Sequence, residues 1–149
     1  MIFVSRKTHF NAAHRLHNPE KSDQWNRDKY GVCNHINWHG HNYQLEVVVA
    51  GEPNPESGYL IDLSDLRDII QTRIIDKCDH KNLNMDVDFL EGVIPTTENL
   101  VKHIYQELRE PVEEACAPGG KLYAVRLQET DRNSAEYCPY RLNEEILAP

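Results

Sequence analysis

The chain has 149 residues, 40% hydrophobic and 27% charged, with 24 acidic against 16 basic side chains and a formal charge of −8. That balance fits one folded domain over residues 1–149, excludes a disordered or collagen-like chain, and leaves no broad basic face for nucleic acid. No apolar run approaches the roughly 20 residues of a membrane span, and no signal-peptide pattern opens the sequence, so the expectation is a cytoplasmic protein without a membrane partner.

In chain order, Ile2 to Arg15 alternates and predicts a long strand, with Val4, Thr8, Phe10, Ala12 and His14 on one face. Leu16 to Trp38 is polar and reads as a long loop, a length that tends to be functional. His39 to Ala50 predicts a second strand, ended by Gly51-Glu52-Pro53. From Leu63 to Cys78 the apolar residues Leu63, Leu66, Ile69, Ile70 and Ile74 take helical spacing, and Asp62 is the expected N-cap. A second helix is expected to start at Thr96 or Thr97 after Pro95, with Pro111 ending or kinking it. Lys121 to Glu129 and Ala135 to Tyr140 then read as strands. The order is β-β-α-α-β-β, an α+β layout.

Histidine spacing carries the chemistry. His39 and His41 are two apart on a strand and share a face, so both imidazoles can approach one ion, with Gly40 leaving room. His14, late in the first strand beside Ala12 and Ala13, is the candidate third ligand, and three histidines with an open position suit a catalytic zinc. Such pairs also occur on exposed strands without any metal. His9, His17, His35 and His103 read as solvated surface side chains. Cys33, six residues before His39, is a thiol that a nearby cation would acidify into a base or nucleophile; the alternatives are a fourth ligand or an inert side chain. The four cysteines include no Cys-x-x-Cys pair, and Cys78, Cys116 and Cys138 read as core or bystander residues. Asp79-His80 holds the ingredients of an acid/base pair, or else an ordinary helix-end feature. Glu129, ending an apolar strand, could grip a guanidine-like edge with two hydrogen bonds or be a plain strand-end charge.

Taken in order, the pieces resemble the 6-pyruvoyl tetrahydropterin synthase family. They are Phe10-Asn11-Ala12-Ala13-His14-Arg15-Leu16, Cys33 with His39-Gly40-His41-Asn42-Tyr43, Ile61-Asp62-Leu63, Asp79-His80-Lys81-Asn82-Leu83-Asn84, Pro95-Thr96-Thr97-Glu98-Asn99 and Glu129-Thr130. One departure is Asn11, where many relatives have serine. The resemblance implies a tunnelling (T-fold) subunit, an antiparallel four-stranded sheet with two helices on one face. It implies Zn2+ on His14, His39 and His41, catalysis by Cys33, Asp79 and His80, and a pterin anchor of Glu129 with Thr96 and Thr97. The implied reaction is a lyase step that converts 7,8-dihydroneopterin triphosphate to 6-pyruvoyl tetrahydropterin, in tetrahydrobiopterin biosynthesis. Its alternative product is 6-carboxy-5,6,7,8-tetrahydropterin, for queuosine biosynthesis, and a non-catalytic pterin-binding T-fold protein is the alternative from another class. The five-residue gap between Cys33 and His39 resembles the pyruvoyl branch. The implied working form is a homohexamer, a dimer of trimers.

Overall fold

In the computed structural model, residues 1–140 are described. Strand β1 (Ile2–His14) pairs antiparallel with β2 (His39–Gly51) along its whole length, from Ile2 opposite Gly51 to His14 opposite His39. Strand β4 (Lys121–Gln128) pairs antiparallel with β2, and β5 (Ser134–Tyr137) with β4. These are the four antiparallel strands expected. A fifth is added: β3 (Lys81–Asn82) lies parallel to β1 beside Ala12 and Ala13, giving the order β3-β1-β2-β4-β5. Two residues carry no readable alternation, so β3 forms only because the folded loop lies against the β1 edge.

Helix α2 (Leu63–Ile70) starts at the expected cap, Asp62, whose side chain accepts from the Ser64 N–H at 2.7 Å. It widens into a π turn over Gln71–Ile75 before the short α3 (Asp76–Cys78). Helix α4 (Thr97–Ala115) is capped by Thr96 and runs through Pro111 rather than ending there. The apolar stripe carries it past the proline: Leu108 and Val112, either side of it, are fully buried. The helices cover one sheet face, where Phe10, Tyr43, Leu45, Val47, Val125 and Leu127 join Leu66, Ile70, Ile74, Leu100, Ile104 and Leu108 in one core. Six of those side chains come from the sheet and six from the helices, so the core fixes which sheet face is inner.

Residues 16–38 are not the loop that polarity suggested. They contain α1 (Asp23–Tyr30) and a 3-10 turn over Gly31–Asn34. Polar contacts hold this helix instead of an apolar stripe. Ser22 caps it by accepting from the Trp25 N–H, and the fully buried Asn26 amide donates to the carbonyls of Asn18, Lys21 and Ser22. A periodicity search has nothing to find there.

Candidate metal centre and its cavity

At the far end of the β1–β2 pair, the register sets His14 opposite His39 and Ala12 opposite His41. Paired residues share a sheet face, so all three imidazoles point to the helix-covered side. Gly40 lets the strands meet: a Cβ there would lie 3.0 Å from the Ala12 carbonyl oxygen. One ligand nitrogen from each histidine lies within 4.8 Å of the others.

The chemistry of the set favours a cation. His14 is buried, and its Nδ1 lies 2.9 Å from the Pro95 carbonyl, which can only accept. The ring proton therefore sits on Nδ1, and Nε2 presents a lone pair with no hydrogen-bond partner. Burial lowers the His14 pKa, and the neighbouring His39 and His41 lower it further, so the ring is held neutral, as a ligand must be. Burial lowers the His39 pKa as well, with His41 adding to it, and its Nδ1 is another buried orphan. The Glu129 Oε1 faces His14 Nε2 at 3.8 Å and His41 Nε2 at 3.7 Å, too far for hydrogen bonds. Three lone-pair donors and a carboxylate around one gap make a seat for a metal ion.

The Pro95 carbonyl is itself held in place. Asn99 donates from its side chain to the Ile94 carbonyl at 2.9 Å, and from its backbone to the Thr96 hydroxyl at 3.3 Å. The Thr96 N–H donates to the Ile94 carbonyl at 2.8 Å, so the first turn of α4 fixes the carbonyl that orients His14. Tyr43 backs the centre from below. It is fully buried and stacked on Phe10 at 5.0 Å, and its hydroxyl lies 3.4 Å from His14 Nδ1. Burial pushes its phenol pKa far up, so it stays uncharged.

A cavity of about 520 Å³ opens beside the histidines, lined by His14, Cys33, Thr96, Thr97, Glu129 and Arg132 among others. Four of the sequence-predicted residues, Cys33, Thr96, Thr97 and Glu129, therefore meet His14 in one space. Cys33 sits on the 3-10 turn, whose carbonyl at Cys33 accepts from the Leu16 N–H at 2.9 Å. The Thr96 hydroxyl is already engaged as the α4 cap.

Asp79 and His80 do not line this cavity. They follow α3 at the β1 edge, where the Asn11 backbone N–H donates to Asp79 Oδ1 at 2.8 Å and the His80 N–H donates to the Asn11 carbonyl at 2.6 Å. His80 takes a left-handed φ of 59°, which turns its ring back so that Nδ1 meets Asp79 Oδ2 at 2.9 Å. The Asn11 N–H, then His80, hold the Asp79 carboxyl below its ordinary range. His80 is 82% exposed. Adjacent residues work as a pair here because the backbone is irregular.

Sequence reasoning missed the Pro95 carbonyl, Asn99, Tyr43 and Arg132. Tyr43 had a readable signal, since it continues the same-face spacing of His39 and His41. Pro95 and Arg132 had none beyond their place in loops, and Asn99 none beyond its place in the first turn of α4.

The family model described as 6-pyruvoyl tetrahydropterin synthase matches residues 3–139. Human 6-pyruvoyl tetrahydrobiopterin synthase is 41% identical over 134 residues, which is 90% of this chain and 89% of that protein. The solved Caenorhabditis elegans 6-pyruvoyl tetrahydropterin synthase superposes with a TM-score of 0.82 at 36% identity, covering 92% of this chain and 94% of that one. The 6-carboxy-5,6,7,8-tetrahydropterin synthase of Bacillus subtilis is 29% identical over 141 residues, 93% of this chain and 84% of that protein. With the match running from β1 through β5 and the histidine cluster seated at its centre, the chain belongs to the 6-pyruvoyl tetrahydropterin synthase family.

Proposed function

We propose that the chain acts as one domain, residues 1–149, and is a lyase that converts 7,8-dihydroneopterin triphosphate to 6-pyruvoyl tetrahydropterin with loss of triphosphate. The observation that carries the reading is the meeting of Cys33 and Glu129 with the neutral, metal-ready His14 in one cavity. The pyruvoyl product is favoured over the carboxy product by the 41% identity to the human synthase against 29% to the Bacillus subtilis carboxy enzyme.

His14, His39 and His41 would hold zinc. Zinc in that seat supplies Lewis-acid polarisation of the substrate's side-chain oxygens, which acidifies the neighbouring C–H. Cys33 as thiolate takes that proton. Glu129 accepts two adjacent N–H groups of the pterin's amino-pyrimidinone edge and so sets which carbon faces the thiol. Thr97, with Thr96 at the helix cap, closes the ring's other side. His80, oriented by Asp79, returns protons as the ring is reduced at the expense of its side chain. No nicotinamide is required.

Because Asp79 and His80 lie outside the cavity of their own chain, they serve a neighbouring one in this reading. A trimer closes through the sheet edges at β3 and β5, and two trimers stack into a hexamer. Among the described residues no helix is long and apolar enough to cross a membrane, and all four cysteines are free thiols, which fits the reducing cytoplasm. The deciding experiment incubates zinc-loaded protein with 7,8-dihydroneopterin triphosphate and identifies the product by mass. The pyruvoyl compound is expected. The carboxy compound would move the chain to the other branch, and unchanged substrate would leave a pterin-binding protein.

A further inference from the structure

Among the described residues, Arg132 is the only lysine or arginine that lines the cavity beside the metal centre, where Glu98 and Glu129 supply the carboxylates. It stands three residues after Glu129, in the connection that joins β4 to β5. That connection is a closed turn. The N–H groups of Glu129 and Thr130 donate to the Asn133 carbonyl at 3.0 and 3.3 Å, and the Asn133 N–H donates back to the Thr130 carbonyl at 3.3 Å. The Thr130 hydroxyl accepts from the Arg132 N–H at 3.3 Å and from the Asn133 N–H at 3.1 Å. The backbone at Arg132 is therefore held in a set place relative to Glu129.

The guanidinium is not spent on the fold. Arg126, on β4 of the same hairpin, is tied to Glu46 and Glu136 across the sheet. The Arg132 side chain has no hydrogen bond or ion pair among the described residues, and only its backbone N–H is engaged. A cavity with one carboxylate and one uncommitted guanidinium on the same turn offers two acceptors beside a fork of donors. The edge of an amino-pyrimidinone ring carries the complement, an amino N–H, a ring N–H and then a carbonyl. Glu129, in the reading above, accepts from the two N–H groups. Gripping them with a carboxylate polarises the ring and makes the adjoining carbonyl a better acceptor. A carbonyl taken out of water without a donor forfeits its hydrogen bond, and the charged donor on Glu129's own turn is Arg132.

We propose that Arg132 is a specificity-determining residue of this cavity, donating to the ring carbonyl that adjoins the two N–H groups held by Glu129. The proposal rests on the pterin reading of Glu129 and adds to it the contact that makes the site select an oxo ring.

The test measures dissociation constants of the full-length, zinc-loaded protein for neopterin, which carries no phosphate, and for its analogue with sulfur in place of that carbonyl oxygen. The analogue keeps both N–H groups and offers a poorer acceptor. Wild type should prefer the oxo ring by about tenfold. Arg132→Ala should bind neopterin about ten- to a hundredfold more weakly, the range for a lost hydrogen bond to a charged group, and should bind the two rings alike. Arg132→Lys keeps the charge as a single-point donor and should recover part of the preference. Zinc content and urea midpoint should match wild type in both variants, since the side chain holds nothing in the fold. Wild-type affinity for neopterin in Arg132→Ala, or an unchanged preference for the oxo ring, would overturn the assignment. So would a loss seen only with 7,8-dihydroneopterin triphosphate, which would make Arg132 a contact to the phosphate tail. Glu129→Gln separates the two readings: if it binds neopterin weakly while Arg132→Ala binds like wild type, only the role of Arg132 falls. No binding of neopterin by wild type would overturn both. A ring preference that disappears in Arg132→Ala, in a protein without turnover, would keep the role and remove the lyase reading.

Discussion

Two clusters at the C-terminal end of β1 differ in how far the fold encloses them. His14 is buried on the core face, opposite His39, and is held by the Pro95 carbonyl. Asp79-His80 is tied to Asn11, which has the opposite parity on the same strand, and stands 82% exposed at His80. The first is a closed cluster of three imidazoles that could hold a metal ion. The second is an oriented carboxylate–imidazole pair that stands apart from that cluster among the described residues. A buried site is organised by the fold that buries it, and an exposed pair gains a task only when another surface arrives.

That contrast can be broken most severely at the histidine cluster. His41→Ala should reduce zinc from about one per chain to near none and abolish turnover, because three ligands are the minimum for such a site. Metal analysis of the purified variant checks this, and full occupancy would remove His41 from the centre.

Next in size is the chemistry beside the metal. Cys33→Ala should keep its zinc and lose about 10²–10⁴-fold in turnover, the usual share of general-base catalysis. Loss of zinc instead would make the thiol a ligand. His80→Ala should be similarly impaired with zinc unchanged, and mixing it with Cys33→Ala after dissociation should restore part of the activity if neighbouring chains share a site. Failure of the mixture alone to recover, with each parent folded and oligomeric, would place both groups on one chain.

A smaller effect is expected where the support is indirect. Asn99→Ala removes the clamp on the Ile94 carbonyl and loosens the turn that presents the Pro95 oxygen to His14. Loss of such outer support costs about 10–100-fold in metal affinity, so zinc competition with a chelator should show a shift in that range without loss of fold. Unchanged affinity would mean that Tyr43 and the core suffice to hold the ring.

The smallest effect belongs to the exposed pair. The Asp79 carboxyl has its pKa lowered by the Asn11 N–H and His80, so its contribution to stability is present above the unfolded value of about 3.9. It is lost as pH falls through the depressed folded value. Urea midpoints for wild type and Asp79→Asn should therefore differ slightly near neutral pH and converge below about pH 3.9, the ordinary carboxyl value. A gap that widens on acidification would contradict the assigned sign.

By itself the sequence determined the two long strands, because alternation over Phe10, Ala12 and His14, and over Tyr43, Leu45 and Val47, separates a core face from an open one. It determined α2 and α4 through apolar stripes and through the caps Asp62 and Thr96. It also determined that His39 and His41 share a face, since that follows from strand geometry alone. Tertiary structure decided the rest. Helix α1 is held by the Asn26 amide, the two-residue β3 by the edge of β1, and the His14 tautomer by a carbonyl 81 residues away. It also decided that Asp79 and His80 lie apart from the cavity that collects Cys33, Thr96, Thr97 and Glu129. Periodic burial repeats within a local window and leaves a pattern in the chain. Single polar contacts between distant segments leave none, because each depends on where the whole sheet brings the backbone.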